Sequence, residues 1–278
     1  MRPMAILDYP IDPLSKPINY LPYSKYFMVQ NSVNINSLDL SEIRSRVTKT
    51  LKDGLQLDMS TQDCAKLLRR NVNSKINLVI MFVDINNSTE LSLSLEEQRF
   101  ALMVQIFAQE ISNIVFGYNG YVFKYEGDAV IIVFPAMYDE ALACRNALNC
   151  SMAILEIVTK VINPAFNISE LPKITVKIGL ASGNTLVVIY GRRLTRSHVD
   201  IVGSSISMAS KITAIAKPNQ VLVGEQVYNI LLASVSADSK HFLQRNRFVK
   251  VKLDQSKWKY PSRSSAERNY EVYEFLRI

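Results

Sequence analysis

Cysteine and histidine are scarce in this chain: its 278 residues hold three cysteines, Cys64, Cys144 and Cys150, and two histidines, His198 and His241. So small and irregular a set excludes a disulfide framework and a Cys/His zinc site. Cys144 and Cys150 stand six apart in a helical stretch, off a common face, and read as core packing. Long apolar runs are missing too, since none reaches the roughly 18 residues that would span a bilayer. Residues 1–13 lack the charged-then-apolar pattern of a secretory leader. These absences predict a cytoplasmic protein. No internal repeat or low-complexity tract interrupts a chain long enough for a sizeable core.

What the chain has in excess is positive charge, a formal +7. Basic residues concentrate in 66–70 with Lys75, and in 240–268, where they mix with Phe242, Phe248, Trp258 and Tyr260. A solvated surface, attraction of a polyanionic nucleotide, and contact with an acidic membrane surface or partner are all consistent with this surplus.

Three regions follow from composition and spacing. Residues 1–74 open with scattered prolines (Pro3, Pro10, Pro13, Pro17, Pro22) and continue into a helical passage over 41–70, with Ile43, Val47, Leu51 and Leu55 at helical spacing. This extension reads as a dimerisation or regulatory element. Residues 75–233 form the core, and 234–278 a basic tail with a closing strand over 270–276. Within the core, apolar 77–84 reads as a strand covered on both faces, and 95–115 as a helix with Phe100, Met103, Phe107, Ile111 and Ile114 in one stripe. Strands over 121–125 and 129–134 form a hairpin, and 138–161 is helical. Two further strands, 174–181 and 186–190, are joined by Ser182-Gly183-Asn184; a helix over 204–216 stops before Pro218, and 220–224 is a short strand. The order predicts a split βαβ, ferredoxin-like α+β fold.

Two aspartates stand at the mouths of these strands, Asp84 in FVDINNST (82–89) and Asp128 in the hairpin FKYEGDAVIIVF (123–134). Either alone would pass as a strand-end or turn residue. Together they suit a pair of divalent cations, which take carboxylate oxygens and, about 3.5–4 Å apart, stabilise the attacking and leaving oxygens of a phosphoryl displacement.

The motifs FVDINNST, KYEGD (124–128) and DIVGSSISMASK (200–211), in that order, resemble the class III nucleotidyl (adenylate/guanylate) cyclases over 78–224. The resemblance implies a ferredoxin-like palm with extra C-terminal elements. It also implies metal ligation by Asp84, Asp128 and the backbone carbonyl of Ile85, with two Mg²⁺ or Mn²⁺ ions. Asn87, Ser88 and Thr89 would hold the triphosphate; Asn87 stands where relatives usually have glycine, and asparagine tolerates a left-handed backbone best among the other residues. Lys124 and Asp200 occupy the base-reading positions of adenylate cyclases, where a lysine donates to a ring nitrogen and an aspartate accepts from an amine. That pair rejects guanine and uracil, whose edges are inverted, but admits cytosine as well as adenine.

Ser207 and Lys211 replace the family's asparagine and arginine; lysine keeps the charge without the planar fork. Arg192, Arg193 or Arg196 could supply that grip. The expected protein is an adenylate cyclase making cyclic AMP and pyrophosphate. Two alternatives are a CTP cyclase of the pyrimidine type that serves antiphage signalling, and a weakly active nucleotide-sensing module. A head-to-tail homodimer with composite sites is implied as well, with no nucleic-acid partner.

Overall fold

A computed structural model describes residues 39–54, 60–191, 197–234, 247–254, 258 and 270–276. Its centre is β1 (Lys75–Ile85), an 11-residue strand paired antiparallel on one side with β3 (Ala129–Pro135) and on the other with β4 (Val176–Tyr190). With β2 (Tyr121–Glu126) on the outer edge of β3, the order β2-β3-β1-β4 is that of an antiparallel ferredoxin-like palm. The sheet continues through β6 (Gln220–Gly224), β8 (Val272–Phe275) and β7 (Phe248–Lys250), while β5 (His198–Val202) pairs with β4. The α+β palm inferred from the element order is therefore the observed fold.

Alternation along β1 serves two cores. Val79, Met81, Val83 and Ile85 face helices α4 (Glu97–Gly117) and α5 (Glu140–Ile157), where Met103, Phe107, Ile111 and Ile114 form the buried stripe. Leu78 and Ile80 face the opposite way, toward α2 (Ser60–Arg69) and α7 (Ser204–Ile215). By length and composition α4 and the stretch Glu140–Ile168 could each cross a bilayer. Their buried faces instead pack on the sheet.

Four details depart from the sequence expectation. The strands placed at 174–181 and 186–190 are one 15-residue strand, β4, with no turn at Ser182-Gly183-Asn184. The reason is the unbroken ladder in which Lys75 to Ile85 face Leu186 to Val176, which holds Gly183 extended opposite Leu78. The strand β5 was not anticipated, and Asp200 lies inside it rather than in a turn. The helix placed at 138–161 ends as α-helix at Ile157, widens into a π turn (Val158–Ile162) and resumes as α6 (Asn163–Ile168). A short α3 (Ser88–Ser94) precedes α4 as a separate helix. The passage 41–70 contains two helices, α1 (Leu40–Asp53), started by the Asp39 side chain on the amides of Ser41 and Glu42, and α2. Residues 1–38, Leu55 and most of the basic tail lie outside the described residues. The last helix of the core, α8 (Glu225–Ala233), packs with α5 against the sheet through Val227 and Leu231.

Two contacts tie the helices that matter for the site. Helix α7 runs directly over Gly179 of β4: a Cβ there would stand 2.5 Å from the backbone nitrogen of Thr213, so only glycine permits this approach. Helix α1, whose Ile43 and Val47 enter the main core, is also held by charge. Arg46 Nη2 lies 2.8 Å from Glu110 Oε2 and its Nε 3.3 Å from Oε1, and the Glu110 side chain is only 1% exposed. Arg44 donates to the carbonyl of Lys160 in the π turn at 3.3 Å. Removing one partner of a buried pair leaves the other uncompensated. Arg46→Ala should therefore cost about 3 kcal/mol in urea unfolding, whereas Arg46→Ala combined with Glu110→Leu should recover most of that loss.

Candidate functional site

The register of the palm brings the two aspartates together. Asp84 at the end of β1 stands opposite Ala129, the residue after Asp128. Glu126 pairs with Ala129, so Gly127-Asp128 is a two-residue turn. Gly127 has φ 63° while Asp128 stays at negative φ, the pattern of a II′ hairpin.

The electrostatics of this corner are unfavourable without a cation. Burial pushes the Asp84 carboxyl above its usual range, and the adjacent Asp128 carboxylate pushes the same way, against the opposing pull of Lys177. The Lys177 Nζ lies 3.1 Å from Asp84 Oδ2, placed there by the cross-strand pairing of the two residues. Asp128 Oδ2 is buried with no hydrogen-bond partner. Two carboxylates in contact, one with an orphaned oxygen, form a donor set that a hard divalent cation satisfies. No group of three or more His, Cys, Asp or Glu among the described residues could hold a metal. A cation here relies on these two carboxylates and main-chain oxygen. The Ile85 side chain is buried in the core, which leaves only its main chain as a candidate ligand. Just beyond it, Asn87 adopts the left-handed conformation expected of it, φ 57° and ψ 32°, and Ser88 and Thr89 begin α3.

The second group of expected residues also comes together. Lys124 Nζ lies 3.2 and 3.3 Å from the two carboxylate oxygens of Asp200, joining β2 to β5 across 76 positions of sequence. Asp200 further accepts from the amide of Ile201 at 2.8 Å, and His198 Nε2 is 3.5 Å from its Oδ2. Beside this pair opens a cavity of about 380 Å³ with an apolar floor of Phe82, Ile131 and Ile206. Its polar lining comes from Lys124 and Glu126 on β2 and from Ser207, Ser210 and Lys211 on α7. Neither Asp84 nor Asp128 lines it. Ser207 and Lys211 are exposed because α7 turns Ser205, Met208, Ala209, Ile212 and Thr213 inward. Arg192, Arg193 and Arg196 lie outside the described residues.

Sequence reasoning does not single out Lys177, Glu126 or His198. The available signal for Lys177 is a lone charge in an apolar strand; for Glu126 and His198 it is their closeness in sequence to Asp128 and Asp200.

A family described as the adenylate and guanylate cyclase catalytic domain matches residues 71–260. The chain belongs to that family. Among curated relatives, a cytidylate cyclase of Staphylococcus aureus is 24% identical over 164 residues, covering 58% of this chain and 39% of the relative. A cytidylate cyclase of Escherichia coli is 28% identical over 160 residues, covering 55% and 35%. Adenylate cyclase 1 of Rhizobium meliloti is 23% identical over 137 residues, covering 49% and 20%. The matched region thus spans well under half of these relatives. Of solved structures, the adenylyl cyclase CyaB of P. aeruginosa superposes with a TM-score of 0.59 at 19% identity, covering 74% of this chain and 96% of that one. These likenesses make the fold that of a class III nucleotidyl cyclase, an enzyme family that is metal-dependent.

An acid whose folded-state pKa is raised adds stability only where it is protonated, and that stability is lost as pH rises through the folded value. At neutral pH ionised Asp84 therefore weighs against the fold. Asp84→Asn should leave the melting temperature in EDTA unchanged or higher at pH 7, while abolishing the stabilisation that Mn²⁺ gives the parent protein. A large drop in EDTA, with the Mn²⁺ shift intact, would show that Asp84 is a structural residue.

Proposed function

We propose that this domain cyclises a nucleoside triphosphate whose base presents an amine beside a ring-nitrogen acceptor, with ATP as the first reading. The observation that carries it is the Lys124–Asp200 pair at the edge of the cavity. A donor-only ammonium next to an acceptor-only carboxylate complements adenine N1 and N6. Guanine and uracil would meet the same pair donor to donor and acceptor to acceptor, which costs more than a missing contact. CTP is the second reading: cytosine carries the same edge, and the relatives from S. aureus and E. coli are named cytidylate cyclases.

In this reading the ribose 3′-hydroxyl attacks the α-phosphorus and pyrophosphate leaves. Two Mg²⁺ or Mn²⁺ ions, held by Asp84, Asp128 and the carbonyl of Ile85, would supply activation of the hydroxyl and charge neutralisation on the triphosphate. Lys124 and Asp200 fix the base, and the apolar floor of Phe82 and Ile131 excludes water beneath it. Ser207 orients the ribose. Lys211, four residues further along the same helix face, offers positive charge to the phosphate oxygens. Asn87, Ser88 and Thr89 present backbone amides to the triphosphate, with the left-handed Asn87 turning the chain for close approach.

Lys124, Ser207 and Lys211 line one cavity that excludes the two metal-site aspartates. This supports a head-to-tail homodimer in which each centre takes its aspartates from one protomer and its base-reading residues from the other. Leu186, Tyr190 and Val202 expose apolar surface on the β4–β5 ribbon, as a protomer contact would require. Three buried, unpaired cysteines suit the reducing cytoplasm in which such a substrate is made.

Incubation with each of the four triphosphates and Mg²⁺ or Mn²⁺, with products identified by mass, tests the chemistry. Cyclic AMP or cyclic CMP is expected, with at least tenfold preference over the GTP and UTP products; no product in any reaction would leave only the nucleotide-sensing role. Mixing tests the assembly. Asp84→Ala and Asp200→Ala chains, each inactive alone, should regain activity after subunit exchange, because one centre of the heterodimer then carries neither defect. Continued inactivity after demonstrated exchange would place the centre within a single chain.

A further inference from the structure

The residue that receives the substrate's exocyclic amine can be narrowed by counting acceptors. An ionised carboxylate offers about four lone-pair sites, and Asp200 has most of them engaged. Lys124 reaches both of its oxygens, the Ile201 amide takes Oδ1, and His198 approaches Oδ2. Its side chain is 20% exposed and does not line the cavity. Glu126 differs on each point. It is exposed, lines the cavity, and has no hydrogen bond or ion pair among the described residues. Around it stand the donor-only ammonium groups of Lys124 and Lys211 and the hydroxyls of Ser207 and Ser210, so it is the one anionic acceptor in that lining. Its backbone is fixed, because Glu126 closes the Gly127-Asp128 turn by pairing with Ala129.

We infer that Glu126 is a specificity-determining residue, accepting a hydrogen bond from the exocyclic amine of the base, while Asp200 chiefly positions Lys124 for the ring nitrogen. The inference rests on the cyclase reading above and reassigns one of its contacts. An amine held by Glu126 and a ring nitrogen held by Lys124 would be read by two neighbouring residues of one edge strand, β2. Asp200, on β5, then sets the lysine's direction through the ion pair that the structure contains. A base lacking the amine leaves the Glu126 carboxylate without the donor it would accept from, so a site of this design discriminates against such a base.

The test compares the preferred triphosphate with its des-amino analogue: purine riboside triphosphate against ATP, or pyrimidin-2-one riboside triphosphate against CTP. Both analogues retain the ring-nitrogen acceptor, so only the amine contact differs. The parent should favour the amino substrate at least tenfold in kcat/KM. Glu126→Leu, which removes the acceptor that a glutamine would keep, should lower that ratio about tenfold, mainly by raising KM for the amino substrate, with less than threefold change on the analogue. Asp200→Asn should instead weaken both substrates alike.

An unchanged ratio in Glu126→Leu, or equal losses on both substrates, overturns the assignment; so does collapse of the ratio in Asp200→Asn alone. Equilibrium titration of the same nucleotides in Ca²⁺ separates this inference from the enzymatic reading. A protein that turns over no triphosphate but binds the amino form preferentially, with the preference lost in Glu126→Leu, sinks the cyclase reading and retains the contact. Binding without preference in the parent sinks the contact whatever the turnover.

Discussion

The pairing of β1 on both edges is the constraint on which the other features depend. Lys75–Ile85 is laddered along its whole length to β4 and over 78–84 to β3, and it supplies alternate side chains to two cores. A shift of one residue would exchange those faces, turning Asp84 into the packed α4–α5 side and Val83 out to the site. The register also sets Lys177 against Asp84 and brings the Gly127-Asp128 turn alongside. Burial of the apolar side chains along β1, β3 and β4 thus fixes where two carboxylates meet. The energetics of the core and the geometry of the site are one determination.

The site itself is assembled against local preference. Asp84 is raised by burial and by a like charge, and Asp128 keeps an unpartnered buried oxygen. A fold selected for stability alone would have no reason to hold such a pair. These are the places where a protein gives up stability for function, and a bound cation would reverse the sign of both costs. The Arg46–Glu110 pair is a different case: a buried carboxylate fully compensated by a bidentate guanidinium, joining α1 to α4. Since α4 follows Asp84 and the Asn87 turn with only the short α3 between, α1 braces a helix close in sequence to the proposed triphosphate loop.

Membership of the cyclase family fixes the reaction class more firmly than the base. In the proposed reading, an ammonium donor beside a carboxylate acceptor disfavours two of the four common bases by hydrogen-bond polarity but treats adenine and cytosine alike, because the amine and its neighbouring ring acceptor are the same on both. Relatives named for each base, at 23 to 28% identity, are in keeping with that degeneracy. Ring size is the remaining difference between the two bases.

The sequence by itself determined the apolar runs of β1, β2 and β3, the stripe on α4, the order of elements that makes a palm, and the motifs carrying Asp84, Lys124, Asp128 and Asp200. Each of these is a local signal, set by spacing of two or 3.6 residues or by a short motif. It did not determine that 176–190 is a single strand, because Ser182-Gly183-Asn184 has turn composition and only the ladder to β1 keeps it extended. Nor did it determine the π turn after Ile157 or the strand β5. The engagement of Asp200, the approach of Lys177 to Asp84 and the exposure of Glu126 to the cavity were likewise decided only by tertiary structure. They are contacts between residues up to 93 positions apart, as Lys177 and Asp84 are, and no periodicity within one segment encodes which distant side chain will stand opposite.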